Sequence, residues 1–252
     1  MTPFLISLQF LTTFPIRLKQ MPTAKQNAYS ILFYPAVGLI IGVVLYLAAL
    51  VLSGLPIVLA SSLILVIWIW LTGGLHLDGL ADTADAWVGG FGDKERTLKI
   101  MKDPSCGPIG VLSLIIVCGL KWSALYVLLQ TQSSLALLIF PFLARIAPLV
   151  LFLTTPYLRA QGLGRSIALH LPKHRAWWVV GISLSMMLYF GWLGLMVTLA
   201  FICTLMYLRI KFLQRIGGIT GDTIGASIEI SETIGVLVWV IVLHYLTFTP
   251  LF

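Results

Sequence analysis

The sequence predicts an all-α, polytopic integral membrane helix bundle with about seven transmembrane helices and a cytoplasmic N-terminus. Three observations predict it. Of the 252 residues, 59% are hydrophobic and only 10% charged, against about 25% charged in a soluble domain. Mean hydropathy is +1.01. Apolar runs recur along the chain, and basic residues gather in every second link between them. One globule of this size cannot hide so much apolar surface, so the surrounding solvent is lipid. Residues 1–252 read as one integral membrane domain.

The elements follow in order. The opening stretch "MTPFLISLQFLTTFPIR" has no basic residue before its apolar part and no small-residue cleavage site after it. It reads as an interfacial or re-entrant helix rather than a cleaved signal. Candidate spans lie near 31–52, 57–75, 108–130, 133–154, 176–191, 194–208 and 233–249. The stretch 176–208, as one helix, would be about 50 Å long, too long for one crossing. It is therefore split at Gly191–Gly194.

Charge sets the orientation. Arg17, Lys19 and Lys25 precede the first span, and the next link, "SGLP", has no charge. Lys94, Arg96, Lys99 and Lys102 follow the second span, while "TQSS" after the third is neutral. Arg159, Arg165, Lys173 and Arg175 come next, then the neutral turn "GWLG", then Arg209, Lys211 and Arg215. This alternation is the positive-inside pattern. It makes seven crossings and an outside C-terminus. The net charge of +7 therefore reports orientation. Basic residues are not interleaved with aromatics as a nucleic-acid groove requires, so no nucleic-acid partner is expected. Trp68, Trp70, Trp177 and Trp178 read as interface belts. Cys106, Cys118 and Cys203 form no CxxC pair and read as buried structural thiols.

The acids carry the chemistry. Of nine Asp and Glu, six fall between Asp78 and Asp103; the rest are Asp222, Glu229 and Glu232. Both groups lie in links assigned to the cytoplasmic face, so they are expected to meet. Asp78, Asp82 and Asp85 are spaced i, i+4, i+7, within about 60° of one helix face. Such stacked carboxylates repel unless a cation sits between them. Oxygen-only ligands suit magnesium or manganese, and magnesium typically takes one or two carboxylates plus substrate phosphates. The intervening residues are small or apolar, which speaks against a plain solvated face. The helix is expected to continue from the preceding span.

Gly73, Gly74 and Gly79 allow close approach of a backbone or ligand. Asp93 is a candidate cap for the helix that carries Lys94, Arg96, Lys99 and Lys102. Those cations suit a diphosphate, or serve only as orientation charges. Asp103, before Pro104, is a metal ligand, a base or a cap. In "GGITGDTIGASIEISE" the glycines suggest a phosphate-holding loop. Glu229 and Glu232 share a helix face. Asp222 binds substrate or caps that helix. Lys121 and Arg145 are cations inside apolar runs, where a charge usually serves function. Arg145 is the better phosphate ligand because of its forked donors. His76 is a supporting partner or base beside the acids.

With these residues in view, the sequence resembles the cobalamin synthase family, the adenosylcobinamide-GDP ribazoletransferases, over essentially its whole length. "FLTTFPI", "GGLHLDGLADTADA", "KIMKDPSCGPIGV", "YLRAQGLG" and "GDTIGASIEISE" carry the likeness. It rests on Asp78, Gly79, Asp82, Asp85, Lys102, Asp103, Gly107, Arg159, Gly221, Asp222, Gly225 and Glu229. The resemblance implies joining of adenosylcobinamide-GDP to α-ribazole or its 5′-phosphate, with release of GMP. It implies a magnesium-dependent step in the bacterial inner membrane, with the active site on the cytoplasmic face. On that reading Asp78, Asp82 and Asp85 hold Mg2+, and Asp82, Asp103 and Glu229 serve catalysis. Lys94, Arg96, Lys99, Lys102, Arg145, Arg159, Asp222, Glu232 and His76 contact substrate. Partners besides substrates are membrane lipid, a second copy of the chain, or other corrinoid-pathway enzymes. "DGLAD" also looks like the start of the CDP-alcohol phosphotransferase motif, which continues with Arg where Asp82 stands here. A lipid-directed enzyme of that kind is the alternative. A cation-coupled transporter is weaker, since the sequence has no internal repeat and its acids sit in basic links.

Overall fold

The computed structural model describes residues 2–248. Helices α1 (Thr2–Leu11) and α2 (Ala24–Ser30) lead through a 3-10 turn into α3 (Tyr34–Val51). Thr23 and Gln26 form a reciprocal capping box at the start of α2, satisfying two amides the helix cannot. Helices α4 (Ile57–Leu71), α5 (Leu75–Gly89), α6 (Lys94–Ile100) and α7 (Pro108–Gln130) follow. Then come α8 (Ile139–Ala144), α9 (Ile146–Thr154), α10 (Leu163–His170), α11 (Lys173–Met186), α12 (Gly191–Ile216) and α13 (Gly221–Phe248). Among the described residues there is no strand, only an isolated bridge between Tyr157 and Ile219.

Three boundaries differ from expectation. The second apolar run does not continue into the acidic helix. It stops at Leu71, and α5 leaves α4 at 86°. Gly73 and Gly74 both take left-handed φ, 61° and 68°, which costs glycine nothing and other residues much. The fourth run breaks at Arg145, between α8 and α9. Pro148 has no N–H for the Ala144 carbonyl, and its ring crowds that oxygen. In the long run after Lys173, a 3-10 turn at Met187–Phe190 and a left-handed Gly191 make the break. Helix α12 then runs through Gly194 to Ile216, taking Arg209, Lys211 and Arg215 onto a helix instead of a loop. Likewise Asp222, Glu229 and Glu232 lie on α13.

Among the described residues five helices are long and apolar enough to cross a membrane, or six with the bent α4–α5 pair as one span. That count takes Lys173–Ile216 as one unit despite its turn. Thr249, the end of the last apolar run, lies outside the described residues. Large apolar side chains also cover the outside: Val51, Trp70, Ile115, Trp178 and Tyr189 are exposed. In water such a surface would drive aggregation; in lipid it is the natural exterior. This is a multi-pass membrane protein.

Two smaller expectations change. Trp68 is no belt residue: it is buried, with the Lys121 ammonium 4.7 Å from its ring centre. None of the three cysteines is buried.

The core positions the site. Helix α13 packs against α5, α7 and α12, and α3 packs on α8. Gly79 is where α5 meets α13. A side-chain carbon there would lie 2.8 Å from the Asp222 carbonyl oxygen, so only glycine lets the backbones approach this far. Backbone hydrogen bonds from Leu158 to Ile219 (2.9 Å) and from Ile219 to Pro156 (2.8 Å) tie the link after α9 to the start of α13.

Candidate active site between two acidic helices

The α5–α13 contact brings the two acid-bearing segments together. Asp78 and Asp222 line one cavity of about 250 Å3. Asp82, one turn along α5, lies within electrostatic reach of Asp78, Asp85, Asp222 and Arg159. Asp222 is free for this role because it does not cap α13. Thr220 does: its hydroxyl accepts from the Thr223 amide at 3.3 Å, and Thr223 accepts in return from the Thr220 amide at 2.9 Å. The carboxylate of Asp222 instead takes an ion pair from Arg159 at 2.5 Å. The backbone bridge between the Arg159 loop and α13 fixes that pairing.

The third carboxylate of the face is engaged elsewhere. Asp85 accepts hydrogen bonds from the Gly107 amide (2.7 Å) and the Gly110 amide (2.8 Å). These are unpaired donors at the start of α7, where the helix dipole favours an anion. Among the described residues no three His, Cys, Asp or Glu side chains are close enough to enclose an ion by themselves.

Glu229, Glu232 and Arg145 were expected at the substrate. Their charged groups meet one another inside the bundle. Lys121 on α7 donates to Glu229 at 2.5 Å and to Glu232 at 2.6 Å. Arg145 pairs with the other oxygen of Glu232. All four side chains are almost wholly buried, and none of the four lines the cavity. Two cations and two anions sit in one interior cluster, and burial is tolerable because each charge has a partner. Arg145 also reaches His76 Nδ1 at 3.4 Å. A guanidinium only donates, so Nδ1 accepts and the ring proton sits on Nε2. That atom is buried without a hydrogen-bond partner among the described residues, and His76 lines the cavity.

The basic residues divide. Arg159 lines a separate shallow cleft together with Lys102. Lys94, Arg96 and Lys99 are exposed on α6 and line neither space; Arg96 stacks over Phe91 at 5.0 Å. Asp93 caps α6 as expected, accepting from the Arg96 amide at 2.6 Å. Asp103 is exposed and turns back onto the Ser105 amide at 2.9 Å, a bond that holds its carboxyl below the ordinary range. It lines neither cavity.

Residues that the sequence reading missed are the apolar walls, above all Phe152 and Tyr157. Tyr157 stands in "YLRAQGLG", already singled out for Arg159; its ring was the available signal.

Comparison with known proteins points to one family. The family model described as cobalamin-5-phosphate synthase matches residues 3–240. A relative from Acinetobacter baumannii named adenosylcobinamide-GDP ribazoletransferase is 59% identical over 98% of this chain and 100% of its own length. Relatives of the same name from Pseudomonas aeruginosa and Pseudomonas fluorescens are 52% and 49% identical, over 90% and 92% of this chain and 93% and 96% of theirs. No solved structure matches the chain. With the match running almost end to end and the quoted acidic motifs meeting at one cavity, the chain belongs to the cobalamin-5-phosphate synthase family.

Proposed function

We propose that this protein is an adenosylcobinamide-GDP ribazoletransferase. It joins adenosylcobinamide-GDP to α-ribazole or its 5′-phosphate and releases GMP, the last stage of adenosylcobalamin assembly. The observation that carries the reading is the pairing of Asp78 on α5 with Asp222 on α13 across one cavity. Two carboxylates at one cavity, with an arginine paired to one of them, support a site where a diphosphate and a hydroxyl meet.

The reaction balances simply. The ribose 3′-oxygen forms a bond to the phosphorus nearest the aminopropanol arm, and the bond from that phosphorus to the GMP oxygen breaks. The hydroxyl proton passes to a carboxylate of the α5–α13 pair. Asp222 is partly neutralised by Arg159, so Asp78 and Asp82 are the better acceptors. Arg159 and Lys102 offset the diphosphate charge at the neighbouring cleft.

Magnesium is the expected cofactor. Asp78, Asp82 and Asp222 would hold it; Asp85, already bound to two amides, would support α7. The donor set fits: hard oxygens only, too few to enclose an ion, as in magnesium sites completed by substrate phosphates and water. When bound, the ion would polarise the phosphoryl oxygens and stabilise the departing GMP.

Counting Lys173–Ile216 as two crossings and α4–α5 as one gives the seven spans of the charge pattern. The site then faces the cytoplasm across the bacterial inner membrane. The experiment is direct. Purified protein in lipid vesicles, given adenosylcobinamide-GDP, α-ribazole and magnesium, should release GMP and form adenosylcobalamin. No GMP with this pair, but CMP release from a CDP-alcohol and a lipid alcohol, would replace the reading with the phosphotransferase alternative.

A further inference from the structure

The cavity beside Asp78 and Asp222 has walls that the phosphoryl chemistry does not explain. We infer that it seats the fused aromatic base of the ribazole, with the ribose turned toward the two carboxylates; this rests on the transferase reading above.

Size comes first. A space of about 250 Å3 cannot take a corrin macrocycle. It suits a bicyclic base with part of a sugar. Shape comes second. Two stacked aromatic pairs line it: Phe10 with Tyr34, centres 6.3 Å apart and planes at 25°, and Phe152 with Tyr157, 5.4 Å and 29°. Flat rings offer flat ligands a large contact with little entropy to lose. Leu163 and Ile167 on α10 add aliphatic wall.

Polarity decides among the three bases that the substrates carry: guanine, the adenine of the adenosyl group, and the benzimidazole of the ribazole. Guanine and adenine both carry donors and acceptors on their edges, and burying them unpaired is costly. Away from Asp78, Asp222 and His76 these walls are mostly hydrocarbon and aromatic. A methylated benzimidazole presents only carbon and hydrogen on its outer edge and loses nothing there. The polar groups suit a sugar instead: the carboxylates of Asp78 and Asp222 accept from ribose hydroxyls. The base is then the anchor that sets the attacking hydroxyl beside the acids.

Two variants test this in vesicles, with GMP release as the assay and binding of adenosylcobinamide-GDP measured separately by filtration. Leu163→Trp fills the space, and Phe152→Ala removes a stacking wall. Both should raise KM for α-ribazole by about tenfold or more, with adenosylcobinamide-GDP binding unchanged. Unmodified protein should prefer α-ribazole to a riboside with a purine base, and Phe152→Ala should narrow that preference. Weakened adenosylcobinamide-GDP binding with an unchanged ribazole KM would give the cavity to that substrate and overturn the inference. Unchanged constants for both substrates would also overturn it. Failure of the unmodified protein to release GMP would instead remove the transferase reading on which it rests.

Discussion

Replacing Lys121 with methionine should destabilise the protein far more than loss of a surface charge. The ammonium lies 2.5 Å from Glu229 and 2.6 Å from Glu232, and the side chains of this pairing are no more than 4% exposed. Surface ion pairs are worth about 1 kcal/mol or less because water screens them. No such screening exists here. The substitution leaves two buried carboxylates facing Arg145 alone. Removing one partner of a buried pair costs about 3–5 kcal/mol, because an uncompensated charge remains. For a chain of this size that is a drop of about 6–20 °C in melting temperature. The assay is thermal unfolding of purified protein in one fixed detergent. The double variant Lys121→Met, Glu229→Gln restores charge balance, since Arg145 still pairs with Glu232. It should recover most of the loss, and the cycle of single and double variants isolates the coupling. A Lys121→Met melting temperature within about 2 °C of the parent would refute the reasoning, at under about 1 kcal/mol. So would a double variant no more stable than the single.

Other outcomes follow from the same geometry. Asp85→Ala strands two amides at the start of α7 and should cost about 1–3 kcal/mol for each, with the magnesium concentration for half-maximal activity unmoved. A shifted magnesium requirement would return Asp85 to the metal. Gly79→Ala puts a methyl against the Asp222 carbonyl, forces α5 from α13, and should lower turnover about 10–100-fold; parental turnover would show the contact is not needed. Asp82→Asn should abolish GMP release while folded protein still reaches the membrane, and chelation of magnesium should stop the parent reversibly. Activity surviving either treatment removes the metal from the reaction.

Much of the fold was legible because lipid imposes a simple grammar. Apolar runs and alternating basic links located the long apolar helices, though not the short α2 and α10. The breaks were harder. Pro148 marks the interruption at Arg145, yet proline is common enough in membrane helices that it does not announce a break. The Gly73–Gly74 pair was read as room for a neighbour, when its left-handed backbone turns the chain through a right angle. At the site, the meeting of Asp78 with Asp222 was legible because both segments sit among positive charge. The fate of Glu229 and Glu232 was not. Two acids and two cations in apolar runs balance in number, but which pairs with which depends on the relative rotation of α7, α8 and α13. That is a property of packing and not of spacing. Asp85 shows the same limit: periodicity gives the direction of a carboxylate, not the Gly107 and Gly110 amides that it meets.

The seam at Gly79 bears on biogenesis. One wall of the pocket is translated early, on α5, while its counterpart leaves the ribosome only with α13, more than a hundred residues later. Until that helix inserts, Asp78 and Asp82 face no partner, and the arginine that neutralises Asp222 has nothing to hold. A chain stalled before α13 would lack Asp222 and with it one side of the cavity.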